Sequence, residues 1–300
     1  MQQAILVAAA FAAAPPLLPA QADWQREAPL EVRRTGVFKT PGLTESSGVV
    51  VSRTQAGVLW TLNDSDHPAW LFAIDTLGSD LGTYKVQDAK NRDWEALAAG
   101  SCGDHPCLYV GDTGDNNERH DSVAIYRVWE PSVGGTPHAS RQATARPERI
   151  EFTYPDGPHD VEAMYLDDTG DLFLITKGWR GSVLLFRVRA GAWKYGVAEV
   201  ESLGTLPIMA DRKRGRLVTD AAISPDGRLV VVRTYADLFF FHRAADGRLD
   251  PGGTPTACGI EGVGSQGEGV DWIDGETLVL TSEASRRAPG TILLVRCRLP

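Results

Sequence analysis

Asp93-Trp94-Glu95-Ala96-Leu97 is the stretch that decides the fold, because its pattern returns along the chain. Ser47-Gly48-Val49 lies upstream of it, and Glu162-Ala163-Met164, Asp220-Ala221-Ala222 and Glu268-Gly269-Val270 follow. Each copy is an acidic or hydroxyl residue, then a small residue, then an apolar run. A unit repeated in this way cannot bury its apolar face alone and must pack against its neighbours. After each copy comes a second short apolar run that closes on a polar residue: Asn63, Asp112, Lys177, Arg233 and Glu283 in turn. A third run completes each unit, for example Trp70-Leu71-Phe72-Ala73-Ile74 and Val183-Leu184-Leu185-Phe186-Arg187-Val188.

Short β-rich runs separated by Gly, Asp and Pro turns predict antiparallel strands. Three or four strands per unit of about 50 residues make a propeller blade. The chain therefore reads as all-β, a five-bladed β-propeller in a single domain over residues 23–300. The fifth unit ends at Pro300 with three strands, so a strand from Val32 to Thr40 is expected to complete it and cover its edge. A β-sandwich would not repeat an acidic start, and a six-bladed ring would need a repeat the sequence does not show.

In a propeller the first strand of each blade lines the axis. Its start and the loop after the second strand lie on one face, so repetition in sequence becomes a ring in space. Ser47, Glu95, Glu162, Asp220 and Glu268 are expected to converge there. Four carboxylates around a narrow channel repel one another strongly at low effective dielectric. Either their pKa values rise or a cation neutralises them. A ring of hard oxygens suits calcium, which takes six to eight such ligands in loose geometry. Glu45 competes with Ser47 for the place in blade one. Strand caps that bond backbone N–H groups are the alternative role for these acids.

The loops of this mouth carry further chemistry. Asn63, Asp112, Asp115, Asn116, Arg180 and Glu283 are candidate ligand contacts, and the acids near Asp112 could hold a second cation. Lys177, Arg180, Arg233, Arg286 and Arg287, with the run Asp211-Arg212-Lys213-Arg214, suggest a cationic rim for a small anionic ligand such as a phosphate. Glu95, Glu162, Lys177 and Arg233 are the catalytic candidates. His159, just ahead of Glu162, is a possible acid/base. There is no Gly-x-Ser-x-Gly, His-Glu-x-x-His or Walker sequence.

The blade starts, with Glu45-Ser46-Ser47-Gly48-Val49-Val50 and Leu108-Tyr109-Val110-Gly111, resemble those of the calcium-activated nucleotidases, or apyrases. That resemblance implies five blades and an axial calcium held by Ser and Glu side chains. In it, Asp220 stands where the family has Ser. Asp93-Trp94-Glu95, Gly111-Asp112-Thr113-Gly114-Asp115-Asn116 and Ser224-Pro225-Asp226-Gly227 resemble uncharacterised bacterial secreted propellers near the phytase-like esterase and SdiA-regulated groups. This second likeness implies a fold and leaves the reaction open.

Composition sets the outer bounds. The formal charge is −9, which disfavours nucleic acid because its phosphates would be repelled. Ile5 to Leu18 is uncharged and apolar and leads to Ala20-Gln21-Ala22. This reads as a secretory signal peptide over residues 1–22, although no Lys or Arg precedes the run. It is too short for a comfortable membrane span. Export to the periplasm or medium makes four cysteines an expected disulfide framework, pairing Cys102 with Cys107 and Cys258 with Cys297. Three functions follow as expectations for a monomer. One is a calcium-dependent phosphoester or phosphoanhydride hydrolase. A second is a non-catalytic propeller that binds a ligand or a cell-surface partner around structural calcium. The third is a five-bladed glycosidase, with Trp70, Trp94 and Trp179 as sugar platforms.

Overall fold

A computed structural model describes residues 22–134, 142–263 and 266–300. The leader expected over residues 1–22 lies outside them except for Ala22. The described residues form five antiparallel sheets, and each is one blade. The innermost strands are Ser46–Val51, Trp94–Cys102, Val161–Leu166, Val218–Ile223 and Gly267–Trp272. Each packs against the next, and the fifth packs against the first, so the ring is closed. Apolar side chains fill the spaces between neighbouring blades. Trp60, Trp94 and Trp272 are fully enclosed in them.

Blade five is completed from the other end of the chain, as the sequence predicts. Glu31–Val37 pairs antiparallel with Thr291–Arg296. Two further pairings have no signature in the sequence. Gln25–Glu27 adds a parallel strand to Thr256–Gly259 of blade four, and Gln142–Ala143 adds one to Asp80–Lys85 of blade one. Trp24 anchors the first of these. Its indole packs edge-on against Phe239 at 4.8 Å between centroids, and its Nε1 donates to the Pro207 carbonyl at 2.8 Å. These additions satisfy outward-facing backbone groups and blunt the sheet edges.

Every inner strand carries a register shift near its start. The shift falls between Ser46 and Gly48, Trp94 and Ala96, Val161 and Ala163, Val218 and Asp220, and Gly267 and Val270. One extra residue at each place is a β-bulge, which bends the strand and re-aims a side chain. The bulged residues are Ser47, Glu95, Glu162, Thr219 and, within the Glu268-Gly269 pair, the fifth. The next slot stands against the neighbouring inner strand, which explains the small residue of the motif. A Cβ on Gly269 would lie 2.7 Å from the Val49 nitrogen, and one on Gly48 would lie 3.3 Å from that of Leu97.

Both expected disulfides form, and no described cysteine is free. Cys102–Cys107 closes a hairpin tip within blade two, with 5.8 Å between Cα atoms. Cys258–Cys297 ties the outer strand of blade four to the segment after blade five, at 6.0 Å and a separation of 39 residues. Loop-closure entropy makes the long link worth about 4 kcal/mol and the short one about 2 kcal/mol. Replacing Cys258 and Cys297 together by Ser should therefore lower the denaturation midpoint more than replacing Cys102 and Cys107, as thermal unfolding of the two variants will show.

Candidate functional site

The bulges and the loops after the second strands meet at one mouth of the ring. The loops are stitched blade to blade. Asn91 Nδ2 donates to the carbonyls of Asn63 and Asp64, at 3.0 and 2.7 Å, joining blade one to blade two. Val161 N donates to Thr113 O at 3.2 Å, Val218 N to Lys177 O at 3.1 Å and Ala284 N to Thr44 O at 2.8 Å. Between blades four and five the link is a side chain: Arg233 Nη1 donates to the carbonyls of Gly269 and Thr281. The mouth is thus a rigid rim built on strand ends.

At the far end of the inner strands lies a small recess open to solvent. Val50, Leu97, Met164, Tyr165 and Ala222 line a space of only about 20 Å³ beyond the carboxylates, beside the Arg53–Asp271 ion pair at 3.1 Å. That is room for about one water. The carboxylates gather at the opposite end of the axis, in an acidic cup.

Glu95, Glu162 and Glu268 sit in this cup, each at most 5% exposed. Burial pushes the pKa of all three upward, and each is raised further by other carboxylates of the mouth, Glu95 by Glu162 and Glu162 by Glu268. Glu268 is raised to about 8. The counter-charge is Lys177, whose Nζ donates to Glu162 Oε1 at 2.6 Å and lies 4.0 Å from Asp160 Oδ2. Burial disfavours its ammonium form, but the charges of Glu162, Glu95 and Asp160 outweigh burial and raise its pKa. Asp160 is fixed in turn by the Asp115 N–H at 2.8 Å and the Trp179 indole at 2.7 Å. Tyr235 completes the wall. Burial, then Glu268, keep its phenol protonated well beyond the usual range.

The structure brings together Glu95, Glu162, Glu268 and Lys177 from the expected set. Ser47 is buried beside them and donates its hydroxyl hydrogen to Trp94 O at 2.8 Å. In blade four the register places Thr219, not Asp220, at the bulge. Its hydroxyl donates to Glu268 O at 2.9 Å, a bond to the next inner strand of the kind Ser47 makes. Asp220 falls in the small-residue slot, where its two oxygens accept the N–H groups of Ala221 and Val270, at 2.8 and 2.7 Å. A one-residue slip sends a strand side chain to the other face.

Several loop candidates hold the rim together. Asn63 Oδ1 accepts from Thr44 N and Glu45 N, at 3.1 and 3.0 Å. Asp112 accepts from Arg92 N and Asp93 N, at 3.1 and 2.9 Å. Asp115 accepts from Arg119 N and His120 N, each at 2.6 Å. Arg180 pairs with Glu118, Glu45 with His67 at 3.3 Å and His159 with Asp156 at 2.8 Å. Asn116 is exposed. Arg233 is only 1% exposed, and burial lowers its pKa to about 10. Glu283 lies in the acidic mouth, where burial, Asp64 and Glu45 raise it to about 7. Of the tryptophans, Trp94 is fully enclosed, while Trp179 is half-buried under Lys177, with 5.5 Å from Nζ to the ring centroid.

Sequence reasoning did not single out Asp64, Asp160, Tyr235 or Thr219 for this site. Asp160 had a signal, its place two residues before Glu162. Tyr235 had none, because it reaches the cup from beyond the strand end.

No family model matches the chain, and no curated protein matches it. Among solved structures, the PQQ-bound aldose sugar dehydrogenase from Streptomyces coelicolor is 14% identical, with a TM-score of 0.47, over 90% of this chain and 99% of its own. The Dos1 propeller is 10% identical, with a TM-score of 0.41, over 85% of this chain and 59% of its own. YCF48 bound to D1 peptide is 12% identical, with a TM-score of 0.39, over 87% and 67% respectively. These likenesses are of fold alone. Among the described residues no helix is long and apolar enough to cross a membrane.

Two outcomes follow from the cup. Removing one partner of a buried ion pair costs about 3–5 kcal/mol. Lys177→Met should lose stability on that scale in urea unfolding, and adding Glu162→Gln should recover much of it. Glu268 has a folded pKa above its unfolded value near 4.5, so the folded state binds the extra proton between those limits. Its contribution is full below about pH 4.5 and is lost as pH rises to about 8. In chelator, Glu268→Gln should flatten the decline in melting temperature across pH 5–8. An unchanged slope means that Glu268 does not titrate as described.

Proposed function

We propose that this protein is an exported, calcium-binding propeller that hydrolyses phosphoesters or phosphoanhydrides at the mouth. The observation that carries the reading is the set of bulges, which gathers three carboxylates and two hydroxyls, on Ser47 and Thr219, at the start of the inner strands. With their protons lost, the carboxylates would outnumber the cations of the cup, and a further cation would then have to balance them before an anionic ester could enter. Hard oxygen donors in an irregular ring fit calcium. Ser47, Glu95, Glu162 and Glu268 would hold the ion, with Thr219 in the place expected of Asp220. Each hydroxyl gives its hydrogen to a backbone carbonyl and keeps oxygen lone pairs for a ligand. The bound ion would supply Lewis-acid polarisation of a phosphoryl oxygen.

The chain's own groups have separate tasks. Lys177, bound to Glu162, gives the cup a positive charge for an anionic group. Tyr235 offers a phenol hydrogen at the wall. Two disulfides are compatible with an oxidising compartment, which supports export.

One observation favours a second reading, a non-catalytic binding propeller. Arg233 is bonded to backbone carbonyls and Arg180 is paired with Glu118, so neither is free to bind a ligand in the expected cationic rim. A screen of the purified chain separates the readings. It uses a chromogenic phosphate ester, a nucleoside triphosphate and aryl glycosides, each with calcium and with chelator. Calcium-dependent phosphate release that falls at least about a hundredfold in Glu162→Gln supports the hydrolase. Chelator-resistant glycoside cleavage supports the glycosidase instead. No turnover on any substrate, with calcium still bound, leaves the binding propeller.

A further inference from the structure

We infer a second cation seat beside the axis, formed by Asp64, Asp93 and Glu95 and suited to a hard divalent ion, calcium first. One carboxylate oxygen from each of the three lies within 4.8 Å of the others. Three acids together do not make a site, but Asp93 adds an independent sign. It is 8% exposed, and its Oδ1 is the only fully buried carboxylate oxygen among the described residues with no hydrogen-bond partner. An unpaired buried carboxylate oxygen costs free energy, and a cation would remove that cost.

The surroundings hold the three acids in place. Asp93 is pinned through its backbone: its N–H donates to Asp112 Oδ1 at 2.9 Å, and its carbonyl accepts from Gly114 N at 3.1 Å. Asn91 holds the Asp64 loop against blade two while its Oδ1 accepts from Trp94 N at 3.0 Å. Asp64 gives one oxygen to Ser65 N–H, and its carboxylate faces that of Asp93 closely enough for the two to share a hydrogen bond when one is protonated. Gly114 leaves the space the acids occupy. A Cβ there would stand 2.5 Å from Asp93 Cγ and 2.8 Å from Glu95 Cγ. Asp64 is half-buried, so the seat opens to the mouth, where water or an anionic ligand oxygen can complete the shell. The seat depends on the axial reading only in sharing Glu95, which would then stand between two cations. Paired metals about 3.5–4 Å apart are a common device for displacement at phosphorus.

The test is isothermal titration of the chelator-stripped full chain with calcium chloride at fixed pH, alongside Asp93→Asn, Asp64→Asn, Gly114→Ala and Glu268→Gln. Asp93→Asn and Asp64→Asn should each weaken one class of calcium sites by at least about tenfold. Gly114→Ala should do so without changing the charge. Glu268→Gln should leave that class within about threefold. In chelator, Asp93→Asn should melt no lower than the wild type, because it relieves repulsion. Calcium binding indifferent to both Asp93→Asn and Asp64→Asn overturns the seat, with the axial site intact. Binding lost to Glu268→Gln as fully as to Asp93→Asn also overturns it, since the ion is then axial. A class lost to Asp93→Asn alone upholds the seat even if the axial site binds nothing.

Discussion

Each innermost strand takes one residue too many for its partner, and the mouth depends on that insertion. A regular strand alternates its side chains between two faces. Around a narrow axis it would give the centre a fixed set of positions with no freedom to turn one of them upward. The bulge breaks the alternation once per blade, at the same height in all five. It also brings the following residue against the next inner strand, so that residue must be small or must make a specific bond. Gly48, Ala96, Ala163 and Gly269 take the first course. Asp220 takes the second by capping Val270 N–H. One local distortion thus sets both the site and the packing of the ring.

Electrostatics then follows from enclosure. Burial raises Glu95, Glu162 and Glu268 together. Lys177 can stay charged in the same space only because those carboxylates surround it. The arrangement is mutually dependent: neither the acids nor the ammonium would be tolerable at that depth alone. Arg233 solves a similar problem differently. It is buried at the edge of blade four and aimed at backbone carbonyls of blade five, so it works as a stitch between blades more than as a charge for a ligand.

The repeat made the five blades, the closing strand and both disulfides readable, because each rests on periodicity or on cysteine placement. Glu95, Glu162 and Glu268 were readable for the same reason. The shift from Asp220 to Thr219 was not. Matching copies by acidity favours the carboxylate, whereas the structural equivalence rests on which residue is extra in the strand pair. That is a property of two strands together, and a hydroxyl at the bulge carries no stronger local signal than its acidic neighbour. The loop residues take structural bonds for a related reason. Asn63, Asp112 and Asp115 are strong turn formers, and in this rim turn formation consumes their oxygens. Asp93 escapes that fate because its backbone, rather than its side chain, holds the loop. The short parallel strands at Gln25–Glu27 and Gln142–Ala143 lacked the length for any pattern to register.

Lys177 and a divalent ion would make competing claims on the same carboxylates. Glu162 is bound to Lys177 at 2.6 Å, so an axial ion must share that residue with the ammonium or displace it. Asp93 and Asp64 lie on the other flank of Glu95, away from the ammonium's hydrogen bond. An ion there would meet its charge requirement without contesting Glu162. Glu95 is the hinge between the two arrangements: it belongs to the axial ring through its bulge and to the flank through its neighbour two residues back. A ligand anion entering from the mouth would meet the flank first, since Asp64 is half-buried while the axial acids lie deeper. If the flank holds an ion, the order of depth would let that ion draw in an anionic group ahead of Lys177, which lies deeper beside Glu162.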